Sequence, residues 1–212
     1  MKRQGILFAL IGASGSGKTS IAKQILDNDT GTKFSVSVTS RALRVGEIDG
    51  VHYHFVSRTE FEQKIAQGEF FEHEEVHGNL YGTLRATVDQ AITDGQDLIL
   101  DIDVAGALNF KKRFPHNTVI AFISPVTRQQ LLDRLQGRGQ ISADEFARRL
   151  RTAEREYARL LESVESSGAI DYFVLNDRFE SALELCKAIL AAERSRIQRL
   201  DRTALQALCD QF

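Results

Sequence analysis

Short, wholly apolar runs alternate with stretches of helical spacing along this chain. Ile6–Ile11 is continuously hydrophobic, not alternating, which marks a strand buried on both faces of a parallel sheet. A glycine-rich turn follows it, and Ser20–Leu26 reads as a helix. Three more buried strands come later. They are Asp97–Ile102, entered through the turn signal Asp94-Gly95, then Thr118–Ile123, ended by Ser124-Pro125, and Tyr172–Leu175, ended by Asn176-Asp177. Helical spacing marks Val104–Phe114 and Arg128–Leu135. Ser142-Ala143-Asp144-Glu145 is a capping box, which starts a helix by pairing the orphan N–H groups of its first turn. Behind it Phe146, Leu150, Ala153, Tyr157 and Leu160 share one face. A last long helix begins near Asp177 and turns Phe179, Ala182, Leu183, Cys186, Ile189 and Leu190 to one side.

Strands alternating with helices predict an α/β fold, a parallel sheet core flanked by helices on both faces. Phe34–Thr93 breaks that rhythm with short strand-like pieces, several glycines and four of the five histidines. It reads as an inserted lobe of mixed α+β structure. The core is expected at residues 1–33, 96–136 and 165–193, the insertion at 34–95, a lid region at 137–164 and a helical tail at 194–212, all within one domain. Ile197, Leu200, Ala204, Leu208 and Phe212 give the tail a weak apolar face. Packing on the core, dimerisation and fraying are all compatible with it.

Composition narrows the partners. A length of 212 residues suits one α/β unit with insertions, and a net charge of −2 leaves no electrostatic footprint for a nucleic-acid backbone. Ile6–Ile11 is too short to span a bilayer, so no membrane partner is expected. Cys186 and Cys209 make no disulfide framework, which fits a reducing, cytoplasmic setting. His52 and His54 form an HxH, with His73 and His77 nearby, but no cysteine accompanies them and a zinc site is not expected.

The sharpest motif follows the first strand. Gly12-Ala13-Ser14-Gly15-Ser16-Gly17-Lys18-Thr19 matches GxxxxGK(S/T) at every position, with a strand before it and a helix after it. Glycines let backbone N–H groups curl around a polyphosphate, and the helix N-terminus adds a favourable dipole. Lys18 supplies a charge to the β- and γ-phosphates, and Thr19 a hydroxyl ligand for Mg2+. The core is therefore of the P-loop NTPase type. Asp101 lies at the C-terminal end of a core strand, where open α/β sheets bind ligands, and suits Mg2+ and its waters. Asp103 suits either a functional role or the N-cap of the next helix. Such a loop serves kinases, ATPases and GTPases alike.

The insertion discriminates among them. It carries Ser37-Val38-Thr39-Ser40-Arg41-Ala42-Leu43-Arg44-Val45-Gly46-Glu47, then Asp49-Gly50-Val51-His52-Tyr53-His54-Phe55. Gly68-Glu69-Phe70-Phe71-Glu72 and His77-Gly78-Asn79-Leu80-Tyr81-Gly82-Thr83 follow. With the Asp101–Gly106 segment and Arg134–Gly139, these blocks closely resemble the guanylate kinases, in order and at family spacing, from about Gly5 to Leu190.

The resemblance implies ATP-dependent phosphorylation of GMP, and of dGMP, with Mg2+ and by direct in-line transfer, in a monomer or homodimer whose insertion binds the acceptor. It implies that Arg41, Arg44, Tyr53 and Tyr81 hold the acceptor phosphate, that Glu72 and Ser37 read guanine, and that Thr83 and Asp103 complete the base pocket. It implies that Arg134, Arg138 and Arg149 reach the ATP phosphates beside Lys18 as catalytic cations. Arg149 falls about 60° from Phe146 around its helix, at the edge of the apolar stripe, so it can lean inward while Arg148, Arg151 and Arg155 remain on a solvated face. Asn176 and Asp177 suit the adenine border, although Asp177 also makes a good N-cap. Departures from the family pattern are Ser40 for Thr, Leu43 and Val45 for two prolines, His73 for Trp, Leu80 for Tyr and Ala105 for Gln. The lost prolines imply a looser arginine loop.

Overall fold

The computed structural model describes residues 3–76, 78–137, 142–166 and 168–212. The first part of the chain forms β1 (Leu7–Ile11), α1 (Lys18–Asn28), β2 (Thr32–Phe34), β3 (Val38–Thr39) and β4 (His54–Phe55). Next come α2 (Arg58–Ala66), β5 (Phe70–Val76), β6 (Asn79–Leu84), α3 (Arg85–Asp94) and β7 (Asp97–Leu100). The remainder forms α4 (Val104–Arg113), β8 (Thr118–Ser124), α5 (Arg128–Gln136), α6 (Ala143–Ser166), β9 (Tyr172–Leu175), α7 (Phe179–Arg194) and α8 (Arg202–Cys209).

Five strands make a parallel sheet in the order β2-β7-β1-β8-β9. Its side chains explain the unbroken apolar runs. Phe8 and Leu10 of β1 point to one face, against Ile21 and Ile25 of α1 and Cys186 and Ile189 of α7. Leu7, Ala9 and Ile11 point to the other, against Val88 of α3 and Val104, Ala107 and Phe110 of α4. Each such leucine, isoleucine or phenylalanine contributes about 1.5–3 kcal/mol by leaving water. The edge strand β2 has no counterpart among the strands expected from sequence. It is three residues long and its central Lys33 is exposed, so no apolar run betrays it. Phe34, taken from sequence as the first residue of the insertion, ends β2 and pairs with Ile99.

A second sheet, β4-β3-β6-β5, is mixed, with β3 parallel to β4 and antiparallel to β6. It has a small core of its own, in which Phe61 of α2 stacks on Phe70 at 4.3 Å. A bulge sets Glu72, not Phe71, opposite Thr83. Phe71 packs on Phe110 of α4 at 4.2 Å, which ties this sheet to the larger one.

Helix boundaries follow local chemistry. Ser57 and Glu60 form a reciprocal capping box at α2, a start signal that the sequence reading passed over. At α6, Glu145 N–H donates to Ser142 Oγ at 3.2 Å, while the Glu145 carboxylate takes Arg149 Nε at 2.8 Å. Asp177 does not cap α7, whose cap residue is Arg178; it accepts a hydrogen bond from Gln130 at 3.1 Å. The start of the tail packs on the core. Arg199 is 3 % exposed and donates to Glu193 Oε2 at 2.6 Å, and its carbonyl accepts Gln4 N–H at 2.8 Å. Buried Asp97 is held by Arg3 and Arg194, each at 2.7 Å. No helix among the described residues is long and apolar enough to cross a membrane.

Candidate active site

Between β1 and α1 the chain turns through Gly12, Gly15 and Gly17 at φ of 128°, 89° and 100°, a region closed to most side chains. Space excludes them as well. A Cβ on Gly12 would stand 2.2 Å from Ile123 O, and one on Gly17 2.2 Å from Asn176 Nδ2. The loop thereby lies directly on the ends of β8 and β9. Asn176, following β9, is 3 % exposed and donates from Nδ2 to Ser16 O at 2.7 Å. Expected from sequence at an adenine border, it commits Nδ2 to the loop, while its Oδ1 is buried without a hydrogen-bond partner among the described residues. Lys18 Nζ folds onto Gly12 O at 2.6 Å, and Thr19 Oγ1 donates to Asp101 Oδ2 at 3.1 Å. Ala13, Ser14 and Gly15 form the turn between, closed by Ser16 N–H on Ala13 O at 2.9 Å.

The second sheet supplies the facing wall. Glu72 on β5 accepts the Thr83 hydroxyl at 3.2 Å across to β6. Burial pushes the Glu72 carboxyl above the ordinary glutamate value, and the neighbouring charges of Glu74 and Asp103 act the same way. Helix α4 comes close because residue 106 is glycine: a Cβ there would lie 3.3 Å from both Glu72 Oε2 and Asp103 Oδ1. Asp103 caps α4 through Gly106 N–H at 2.7 Å and pairs with Arg159 at 3.3 Å, so the capping alternative holds. Its carboxylate nonetheless borders the cleft.

Tyr53 and Tyr81 meet edge-on, their ring centroids 5.8 Å apart. Arg41 lies over the rings of Tyr53 and Phe55 and is gripped by both oxygens of Glu47. Arg44 is exposed on the same loop.

Lys18, Ser37, Tyr53, Glu72, Tyr81, Asp101 and Asp103 line one cleft of about 530 Å³. Thr83 borders a smaller cavity of about 80 Å³ that shares Ser37, Tyr53 and Asp101. The lid arginines are placed differently. Arg134 donates to Asn176 O at 2.8 Å and Arg149 is paired with Glu145, and neither lines the cleft. Arg138 lies outside the described residues. Arg148 pairs with Glu145 on the exposed side of α6.

The cleft also contains Glu156 of α6, which the sequence reading missed. Its Oε2 is buried without a hydrogen-bond partner among the described residues. Burial raises its carboxyl above the ordinary value, against the opposing charge of Lys18. No spacing marks it out, since Arg149, two helical turns earlier on the same face, does not line the cleft.

The guanylate kinase family model matches residues 4–193. A guanylate kinase of Thiobacillus denitrificans is 45 % identical over 195 residues, covering 92 % of this chain and 90 % of that protein. One from Clostridium perfringens is 37 % identical over 209 residues, covering 99 % and 93 %. The crystal structure of guanylate kinase from Anaplasma phagocytophilum superposes with a TM-score of 0.70 at 31 % identity, covering 93 % of this chain and 90 % of that one. With a family model spanning residues 4–193 and relatives 37–45 % identical over at least nine-tenths of the chain, this chain belongs to the guanylate kinase family.

Proposed function

We propose that this chain transfers the γ-phosphoryl group of ATP directly to GMP, and to dGMP, by in-line displacement. The observation that carries the reading is that Glu72, bonded by the Thr83 hydroxyl, lines the same cleft as Lys18. Guanine offers N1–H and a 2-amino group to a carboxylate. Adenine has a bare N1 acceptor there, and the carboxylate would remain unpaired, a mismatch that costs about four orders of magnitude at sites built on such bonds. Ser37, on the same wall, suits guanine O6, and Thr83 and Asp103 hold the pocket's shape. Arg41 and Arg44 suit the acceptor phosphate because guanidinium forks meet phosphate oxygens two at a time, with Tyr53 and Tyr81 as neutral donors. None of these groups needs the ribose 2′-hydroxyl, which supports dGMP as a second acceptor.

At the donor end the glycine loop offers backbone N–H groups, and Lys18 would exchange Gly12 O for a phosphate oxygen. Magnesium fits the residues present: the Thr19 hydroxyl and Asp101 carboxylate are adjacent hard oxygen donors, and neither is paired with a cationic side chain among the described residues. When bound, the ion neutralises charge across the β- and γ-phosphates. Arg134, Arg138 and Arg149 suit the group in flight once residues 137–164 close, with Arg149 leaving Glu145 for phosphate. Closure also excludes water, which would otherwise hydrolyse ATP. Free Cys186 and Cys209 and small soluble substrates fit a cytoplasmic setting.

ADP formation from Mg·ATP is measured with GMP, dGMP, AMP, UMP or CMP, beside a control without acceptor. Turnover with GMP and dGMP and a silent control is the expected result. Turnover led by AMP or UMP overturns the base pocket.

A further inference from the structure

One side chain holds both arginines of the acceptor loop. Glu47 meets the Arg41 guanidinium with both oxygens, at 2.7 Å to Nη2 and 3.0 Å to Nη1, and accepts the Arg44 backbone N–H at 2.8 Å. The same residue closes a turn, its N–H donating to Arg44 O at 3.0 Å around Gly46 at φ 89°. The guanidinium rests on the rings of Tyr53 and Phe55, 5.6 Å from each centroid. The pair is well shielded, with side-chain exposures of 10 % for Arg41 and 18 % for Glu47.

A carboxylate beside two arginines weakens the attraction of the site for a phosphate dianion, so charge alone gives no reason for it. Order does. A guanidinium immobilised before the ligand arrives spares that conformational cost at binding. Leu43 and Val45 lack the rings that would stiffen this loop. We propose that Glu47 is a positioning residue of the acceptor site, holding Arg41 and the Arg44 backbone in the arrangement that receives the GMP phosphate. The assignment rests on the reading of Arg41 and Arg44 given above. Glu47 remains ionised in any ordinary assay, because the Arg41 guanidinium, and after it the Arg44 N–H, hold its carboxyl down at about 2.

The test is Glu47→Gln, which keeps the length but turns an N–H toward the guanidinium, beside Arg44→Ala as a control on the site. KM for GMP is expected to rise about tenfold in Glu47→Gln while KM for ATP stays within about twofold and the melting temperature holds. Glu47→Asp is one methylene too short to span both partners and is expected to fall between. A Glu47→Gln enzyme with unchanged KM for GMP, when Arg44→Ala raises it, overturns the proposal and leaves the site standing. Equal rises in both KM values with a lower melting temperature also overturn it, by making Glu47 a general structural prop. An unchanged KM for GMP in Arg44→Ala overturns the site reading itself.

Discussion

Glu72 and Thr83 face each other across two antiparallel strands, with the threonine hydroxyl donating to the carboxylate at 3.2 Å. Thr83 is 3 % exposed, so its hydroxyl has little water to turn to and fixes one carboxylate oxygen. The second oxygen, Oε2, is the one beside Gly106. Glu72→Gln is expected to lower kcat/KM for GMP by about a hundredfold or more, because an amide cannot accept two donors as a carboxylate does. Steady-state kinetics with GMP and AMP check this, and a narrowed GMP-to-AMP ratio is part of the expected result.

On the proposed reading, the same carboxyl sets an acid limit. Burial raises the Glu72 pKa above 4.5, and only the ionised form accepts guanine's two donors. KM for GMP is therefore expected to climb as pH falls through that raised value, sooner than for an ordinary glutamate. KM for ATP, measured over the same range, should not share the inflection.

Glu156 carries a stability cost with a definite sign. Its folded-state pKa is raised above 4.5, so at higher pH the folded chain holds a charge that the unfolded chain carries more easily in water. The cost is absent below 4.5 and fully present above the raised value. Glu156→Gln is expected to raise the melting temperature at pH 8, by about 2–4 °C for each kcal/mol relieved, with the gain vanishing toward pH 4. Thermal melts across that range measure it.

Asn176 braces the phosphate loop. Asn176→Asp keeps the shape but sets a carboxylate oxygen against Ser16 O, where an N–H now donates. Stability is expected to fall by about 1–3 kcal/mol, with KM for ATP raised more than KM for GMP. Urea unfolding and kinetics in both substrates test the pair of effects.

Val45 occupies the second position of the turn that Glu47 closes on Arg44, followed by Gly46 at positive φ. That is a type II arrangement, whose second position favours proline. Val45 is fully exposed, and no hydrogen bond from its N–H is lost among those described. Val45→Pro is expected to stabilise the loop by about 0.4–1 kcal/mol and to lower KM for GMP by up to about fivefold. Binding of GMP by calorimetry is the direct check.

Several elements were legible because a local pattern sufficed. β1, β7 and β8 are buried on both faces, a requirement their near-continuous apolar runs meet. β9, expected from its sequence to be buried as well, is an edge strand whose Phe173 and Leu175 are half exposed, because no strand among the described residues pairs beyond it in the sheet. The phosphate loop was legible because each glycine answers a backbone condition within eight residues of chain. β2 and the short strands β3 and β4 were not, since three residues or fewer carry no period. Glu156 lay in a helix whose polar residues look alike until a cleft distinguishes one of them.

By itself, then, the chain determined its alternation of strands and helices, its glycine loop and the chemical types available to the cleft, because these depend on neighbours a few residues away. Tertiary structure alone decided which groups meet. The bulge before Glu72 divides Phe70 and Phe71 between two cores, and that division aligns the carboxylate with Thr83. Asn176 comes beneath Ser16 across 160 residues of chain, and Glu47 rather than solvent becomes the partner of Arg41. Such pairings depend on packing distances that no local spacing encodes.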